Sequence, residues 1–273
     1  MLDIFNSILL GAVEGITEFL PISSTGHLIL VTELLGIEHT EFVKSFEIAI
    51  QLGAILAVVA LYWKKLFLEW EVLKRVITAF IPTGVLGFIL YPFVKTYLLG
   101  NVAVVLWTML LGGVFLIGFE KWYGKRRMKE NTTTPAFGHP SSTEEGNSLV
   151  TMSVKQALII GLAQSVSMVP GVSRAAATIV GGLFLGLSRK QIVKFSFLLA
   201  IPTMAAATGL DLMQSSMAFS GSEWAYLSVG FASAFVCALF AVRFLLRFIM
   251  RHTFVPFGVY RILAALLFFL ILF

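Results

Sequence analysis

Between residues 14 and 27 the sequence reads EGITEFLPISSTGH, and the side chains able to do chemistry come at helical intervals. Glu14 and Glu18 are four residues apart, so on a helix both carboxylates share one face. Such a pair suits a hard divalent cation, Mg2+ or Ca2+, held alongside substrate phosphates. Alternatively, one carboxyl stays protonated and serves as acid or base. Ser24 and His27 are three apart, which suits a hydroxyl nucleophile with an imidazole base, or an imidazole that activates water. A second polar cluster, PGVSRAAAT, follows Val169. Arg174 in it carries a planar fork of donors that matches phosphate oxygens, and Thr178 falls on the same helical face. The plainer reading makes Arg174 the counter-ion of Glu14 or Glu18, which is compatible with the first. Ser23, Ser24 and Ser173 all stand where a new helix begins. There serine is a natural cap, and the free N–H groups of the first turn favour an anion such as phosphate. Ser23, Ser173, Arg174 and Thr178 are the expected phosphate contacts, with plain helix capping the alternative for each serine.

These residues lie in a strongly apolar chain. Of its 273 residues 58% are hydrophobic and 13% charged, with mean hydropathy +0.91, whereas soluble domains carry about 25% charged residues. The composition excludes a soluble domain and indicates a polytopic membrane protein. A charge inside a bilayer costs about 2.5–3.5 kcal/mol on insertion scales, so the polar set must be paired or used. The net charge of +5 does not point to nucleic acid, because the basic residues sit at the ends of apolar segments. Cys237 is the only cysteine, so no intramolecular disulfide and no cysteine-based metal site is expected. No Lys or Arg precedes Lys44, and no cleavable signal peptide is expected.

The elements that must position the site follow from the apolar runs. Six are long enough to cross a bilayer: 46–63, 76–95, 101–120, 195–213, 224–247 and 254–273. Two further pairs are not. Residues 4–20 and 25–36 are separated by Pro21, and 153–169 and 174–187 by Pro170-Gly171. The second arm of each pair spans roughly 20 Å, short of a ~30 Å hydrocarbon core. Each pair reads as a re-entrant helix–loop–helix. Broken backbone at that depth is tolerated only inside protein or along a wet cavity.

Basic residues in 64–75, 121–129, 189–194 and 243–251 fall on one side along a single alternating path, which the positive-inside rule makes cytoplasmic. Both termini are then expected outside, and the stretch 121–152 is expected to be a cytoplasmic linker. An offset of 150 residues aligns Gly11, Ser23, Ile29, Leu35, Gly36, Val43 and Lys44 with Gly161, Ser173, Ile179, Leu185, Gly186, Val193 and Lys194. The expected fold is thus one all-α membrane domain over 1–273, with 1–120 as the first repeat and 153–273 as the second. Three spans per half is an odd number, so the second repeat is inverted, and its broken helices meet those of the first near the midplane.

At these motifs the chain resembles the undecaprenyl-diphosphatase family of the bacitracin-resistance type, nearly end to end. EGITEFLPISSTGH followed by FEIAIQLGAILAV carries the first signature. PGVSRAAATIVGG, FSFLLAIPTMAAAT and FVPFGVYR carry the second. The family commonly has Ser-Gly where Ala175-Ala176 stand here. The resemblance implies a bacterial inner-membrane phosphatase that removes the terminal phosphate of undecaprenyl diphosphate, with a divalent metal and a site open to the outer face. It implies functional positions at Glu14, Glu18, Ser24, His27, Ser173, Arg174 and Thr178. Ser24 is the expected nucleophile and His27 its base. The expected partners are a polyprenyl diphosphate lipid and the bilayer, with no nucleic acid and with a possible homodimer. The competing classes are a transporter or flippase for an anionic polyprenyl lipid and a noncatalytic lipid-binding scaffold. Neither needs a hydroxyl with an adjacent base.

Overall fold

The computed structural model describes residues 2–38, 40–98, 101–133, 149, 152–214 and 219–273. Among them are ten α-helices: α1 (Ile4–Thr17), α2 (Ser24–Leu34), α3 (Glu41–Leu68), α4 (Trp70–Phe93), α5 (Val102–Thr133), α6 (Val154–Ser165), α7 (Arg174–Phe184), α8 (Arg189–Gln214), α9 (Gly221–Phe248) and α10 (Val255–Leu272). Side chains of Asp3, Ser23, Thr40, Ser153, Ser173 and Ser220 accept N–H bonds at helix starts. Each thereby satisfies a donor that the first turn leaves over.

Six helices are long and apolar enough to cross a membrane: Glu41–Lys64, Trp70–Leu90, Val102–Arg126, Arg189–Leu210, Gly221–Phe248 and Val255–Leu272. Most begin earlier than the apolar runs suggest, because a helix continues through polar first turns that hydropathy does not register. The second and fourth spans start furthest upstream, at Trp70 instead of 76 and at Arg189 instead of 195; in the second, Lys74 is bonded to Glu71 at 2.8 Å. Pro92, which has no N–H to donate, precedes a π turn at Val94–Leu98. The linker expected over 121–152 begins as helix, since α5 continues to Thr133. Its Lys, Arg and Glu residues favour helix while ending the apolar signal. Residues 134–148 lie outside the described residues.

The helix contacts repeat when the first five helices are exchanged for the last five. α1 packs on α9 and α6 on α4; α3 packs on α9 and α8 on α4; α3 also meets α8, and α5 meets α10. The residues shared between the halves explain the crossings. A Cβ on Gly11 would run into the Gly230 carbonyl, and one on Gly161 into the Ala79 carbonyl, so both glycines let the short helix close on its partner's backbone. α2 and α7 end alike. Gly36 and Ile37 donate to Glu33 and Thr32, and Gly186 and Leu187 to Leu183 and Gly182, at 3.0–3.1 Å. This is the same C-terminal stop in both halves. Large apolar side chains such as Phe88, Phe115 and Leu270 are exposed, as a lipid-facing surface requires. Elsewhere Glu120 of α5 takes both guanidinium nitrogens of Arg189 on α8 and the Phe254 N–H at the start of α10, tying three helices together.

Candidate functional site

α1 ends at Thr17, and the chain turns through 18–23 before α2 starts. Phe19, Leu20 and Ile22 are buried and anchor the turn. Phe19 meets Phe197 edge-to-face at 5.4 Å. Ser23 has φ 75° and is the only non-glycine residue with positive φ among the described residues. Such a conformation costs on the order of 1–3 kcal/mol and needs surrounding structure to hold it. His27 supplies part of that: its Nδ1 lies 2.7 Å from the Ser23 carbonyl. A carbonyl only accepts, so Nδ1 carries the proton and donates. The Ser23 hydroxyl meanwhile accepts from Gly26 N–H.

The strained turn leaves Ser24 at the first position of α2, where its hydroxyl donates to Glu18 Oε2. Glu18 Oε1 accepts from Arg174 Nε at 3.2 Å and Nη2 at 3.0 Å. Arg174 begins α7, the helix after the second break, so this ion pair joins the two halves. Its Nη1 donates to the Ser196 carbonyl on α8 at 2.7 Å. Ser173 caps α7 through Ala176 N–H and donates to the Leu20 carbonyl at 3.4 Å, tying the second break to the first. A cleft of about 130 Å³ opens over this set, lined among others by Glu18, Ser23, Ser24, Gln51, Ser173 and Arg174.

Three expected residues sit differently. Thr178 is fully buried, with its hydroxyl against the Arg174 carbonyl at 2.9 Å and Gln164 Oε1 at 3.3 Å. It supports α7 from behind and is not among the residues lining the cleft. His27 is not joined to Ser24. Its Nε2 faces the Tyr260 hydroxyl at 2.8 Å, leaving the ring held on both sides. The expected Ser24–His27 dyad is replaced by Ser24–Glu18, because the turn directs the hydroxyl back towards the end of α1. Glu14 is fully buried, and neither of its oxygens has a hydrogen-bond partner. Its charged neighbours are Glu18, Glu47 and Arg174.

No group of three or more His, Cys, Asp or Glu side chains able to hold a metal is formed among the described residues. An orphaned buried carboxylate next to a second one nevertheless fits a cation held by two carboxylates and completed by phosphate oxygens and water. Tyr260, Arg261, Ser196 and Gln51 were not singled out from the sequence. Arg261 had a legible signal, being a charged residue inside the last apolar span. The others look ordinary until folding brings them to the breaks.

Six apolar spans, and a polar cleft at the two helix breaks to which one break brings a hydroxyl on a carboxylate and the other a guanidinium, define a polytopic membrane protein with a polar site at its broken helices. A family model described as bacitracin resistance protein BacA matches residues 7–267, and the chain belongs to that family. It is 49% identical to an undecaprenyl-diphosphatase of Sulfurihydrogenibium sp. over 264 residues, 97% of each chain. It is 47% identical to that of Aquifex aeolicus, over 97% of this chain and 96% of the relative. It is 48% identical to that of Wolinella succinogenes, over 98% and 97%.

Proposed function

We propose that this chain hydrolyses undecaprenyl diphosphate to undecaprenyl phosphate and inorganic phosphate, recycling the lipid carrier for cell-wall polymers and conferring bacitracin resistance. Near-complete coverage by relatives bearing that activity's name supports the reaction. The observation that carries the site is the Glu18 carboxylate, bonded at once to the Ser24 hydroxyl and to Arg174. A transporter needs the charge pair but not a hydroxyl aimed at a base.

In this reading the terminal phosphate enters the cleft and draws on Arg174 and the N–H groups that open α2 and α7. Ser24 Oγ attacks phosphorus and its proton passes to Glu18. The anhydride P–O bond breaks, undecaprenyl phosphate leaves, and water then hydrolyses the phosphoserine. Glu14 and Glu18 would hold the divalent cation, Mg2+ or Ca2+, which when bound supplies neutralisation of the diphosphate charge. His27 fixes the Ser23 turn that presents Ser24.

The same reading places the chain in the bacterial inner membrane with both termini outside and the cleft open to the outer face. The broken-helix pairs α1/α2 and α6/α7 are re-entrant, belonging to inverted halves 1–120 and 153–273. The test is phosphate release from undecaprenyl diphosphate by the purified protein, with and without chelator. Release that is abolished by chelator and restored by Mg2+ or Ca2+ is expected. Movement of the lipid across vesicles without hydrolysis would establish the transporter instead.

A further inference from the structure

Arg261 of α10 is 1% exposed, the largest side chain among the fully buried ones. None of the ion pairs found among the described residues includes it. All three of its guanidinium nitrogens donate to backbone carbonyls. Nε reaches Met109 at 3.3 Å, and Nη2 reaches Thr108 and Gly171 at 3.0 Å each. Nη1 reaches Pro21 at 3.5 Å. Pro21 belongs to the first break and Gly171 to the second, so one planar group spans both. Thr108 reinforces the arrangement by donating to the Pro170 carbonyl at 2.7 Å.

A buried charge without a counter-ion is costly, and such groups inside membranes are kept for function. Carbonyls at a helix break lack their ladder partners and also need donors. A guanidinium answers both needs, because its fixed fork reaches several acceptors in set directions, which a lysine ammonium does not do.

We propose that Arg261 is a positioning residue for the phosphatase reaction. By holding the Pro21 and Gly171 carbonyls together, it sets the distance between the start of α2, which carries Ser24, and the start of α7, which carries Arg174. The attacking oxygen and the cation that binds phosphate are thereby registered on one phosphorus. Arg261 touches neither of those side chains; it acts through the backbone of the two breaks. The inference rests on the site reading above.

The test measures kcat and KM for phosphate release, together with thermal unfolding, in the wild-type chain and in Arg261→Met, Arg261→Lys and Gly112→Ala. A Cβ on Gly112 would collide with Arg261 Nη2, so that variant displaces the fork while keeping the charge. Misplacing reacting groups by about 1 Å can cost 10²-fold in rate. Arg261→Met is expected to lose about that much kcat with KM changed far less. Arg261→Lys, which keeps the charge but not the fork, should recover little of it, and Gly112→Ala should fall part of the way. If Arg261→Met does not fold, the other two decide. Wild-type kcat in Arg261→Lys and Gly112→Ala, with the wild-type chain active, overturns the clamp. Loss of thermal stability with kcat per folded molecule unchanged also overturns it, by making the role purely structural. A wild-type chain that releases no phosphate overturns the phosphatase reading itself.

Discussion

The helices around the two breaks make corresponding contacts, yet the side chains at the breaks differ in kind. At an offset of 150, Glu14 aligns with Gln164, Ser24 with Arg174, Glu18 with Met168 and His27 with Ala177. The Gln164 amide is fully satisfied. Its nitrogen donates to Thr83 at 3.1 Å and Thr203 at 3.0 Å, and its oxygen accepts from Thr178 at 3.3 Å. Glu14 is as deeply buried and has no hydrogen-bond partner at all. The second break is a settled polar core that holds one arginine in place. The first is left with an unpartnered buried carboxyl and a strained turn, and it carries the hydroxyl. Two helix starts converge on one cleft, one bringing the Ser24 hydroxyl and the other the Arg174 guanidinium; in the reading proposed above, the first attacks and the second binds.

The sharpest way to break this comparison is to remove the attacking group. Ser24→Ala is expected to lower turnover by about 10³-fold or more while Arg174 continues to bind phosphate, as nucleophile deletions do elsewhere. Near-normal turnover would make water the attacking species. Glu18→Gln should come close behind in turnover and also cost stability. It unpairs Arg174, and removing one partner of a buried ion pair typically costs about 3–5 kcal/mol. Unfolding and phosphate release measured on the same preparations separate the two effects. If Glu18→Gln keeps both wild-type stability and wild-type turnover, the contact between halves is incidental.

A milder pair of exchanges sharpens the contrast. Glu14→Gln gives the first break the second break's residue. The amide adds donors beside the Glu18 and Glu47 carboxylates, so stability should hold or rise. Turnover should fall by about 10-fold to 10²-fold, and the dependence on divalent cation should weaken, since one of two carboxylate ligands is gone. Gln164→Glu, the reverse exchange, should lower stability by about 1–3 kcal/mol, because it breaks a satisfied buried network. Turnover per folded molecule should stay near normal. If both exchanges act alike on activity and stability, the two breaks have not specialised.

Much of this was legible in the sequence, and the misses share one cause. The proline breaks, the short second arms and the repeated glycines marked both interrupted helix pairs, because glycine and proline act through the backbone alone. Glu18, Ser23, Ser24, Ser173 and Arg174, grouped in the sequence by the offset of 150, line one cleft. Which hydroxyl faces which base was not legible. Helical spacing joins Ser24 to His27, but Ser23 lies at positive φ, and spacing rules assume ordinary helical backbone on both sides. For a related reason, sharing a face with Arg174 says nothing about which side of α7 meets the cleft, and Thr178 lies buried away from it. Arg261 was visible as a charge in an apolar span, but its partners are backbone carbonyls, and backbone leaves no trace in residue types.

The smallest expected effect concerns His27, whose role differs most between spacing and structure. With Nδ1 donating to the Ser23 carbonyl and Nε2 engaged by Tyr260, the ring has no free nitrogen for Ser24. It acts as a strut for the strained turn. A glutamine can offer an N–H to the same carbonyl but cannot serve as a general base, so His27→Gln separates the two roles. Loss of a positioned base costs about 10²–10⁴ in rate. Loss of a strut replaced by a similar donor should cost roughly 10-fold or less, within the range of a single neutral hydrogen bond. Tyr260→Phe, which removes only the hydroxyl facing Nε2, should cost less again, and the ring stacking at 5.5 Å should survive it. His27→Ala, which leaves the Ser23 carbonyl without its donor, should be the worst of the three. The measurement is kcat/KM across pH 5.5 to 8 for each variant, set beside Ser24→Ala. If His27→Gln falls as far as Ser24→Ala and loses a limb of the pH profile, His27 is the base, and the ring must leave Tyr260 during turnover to reach Ser24.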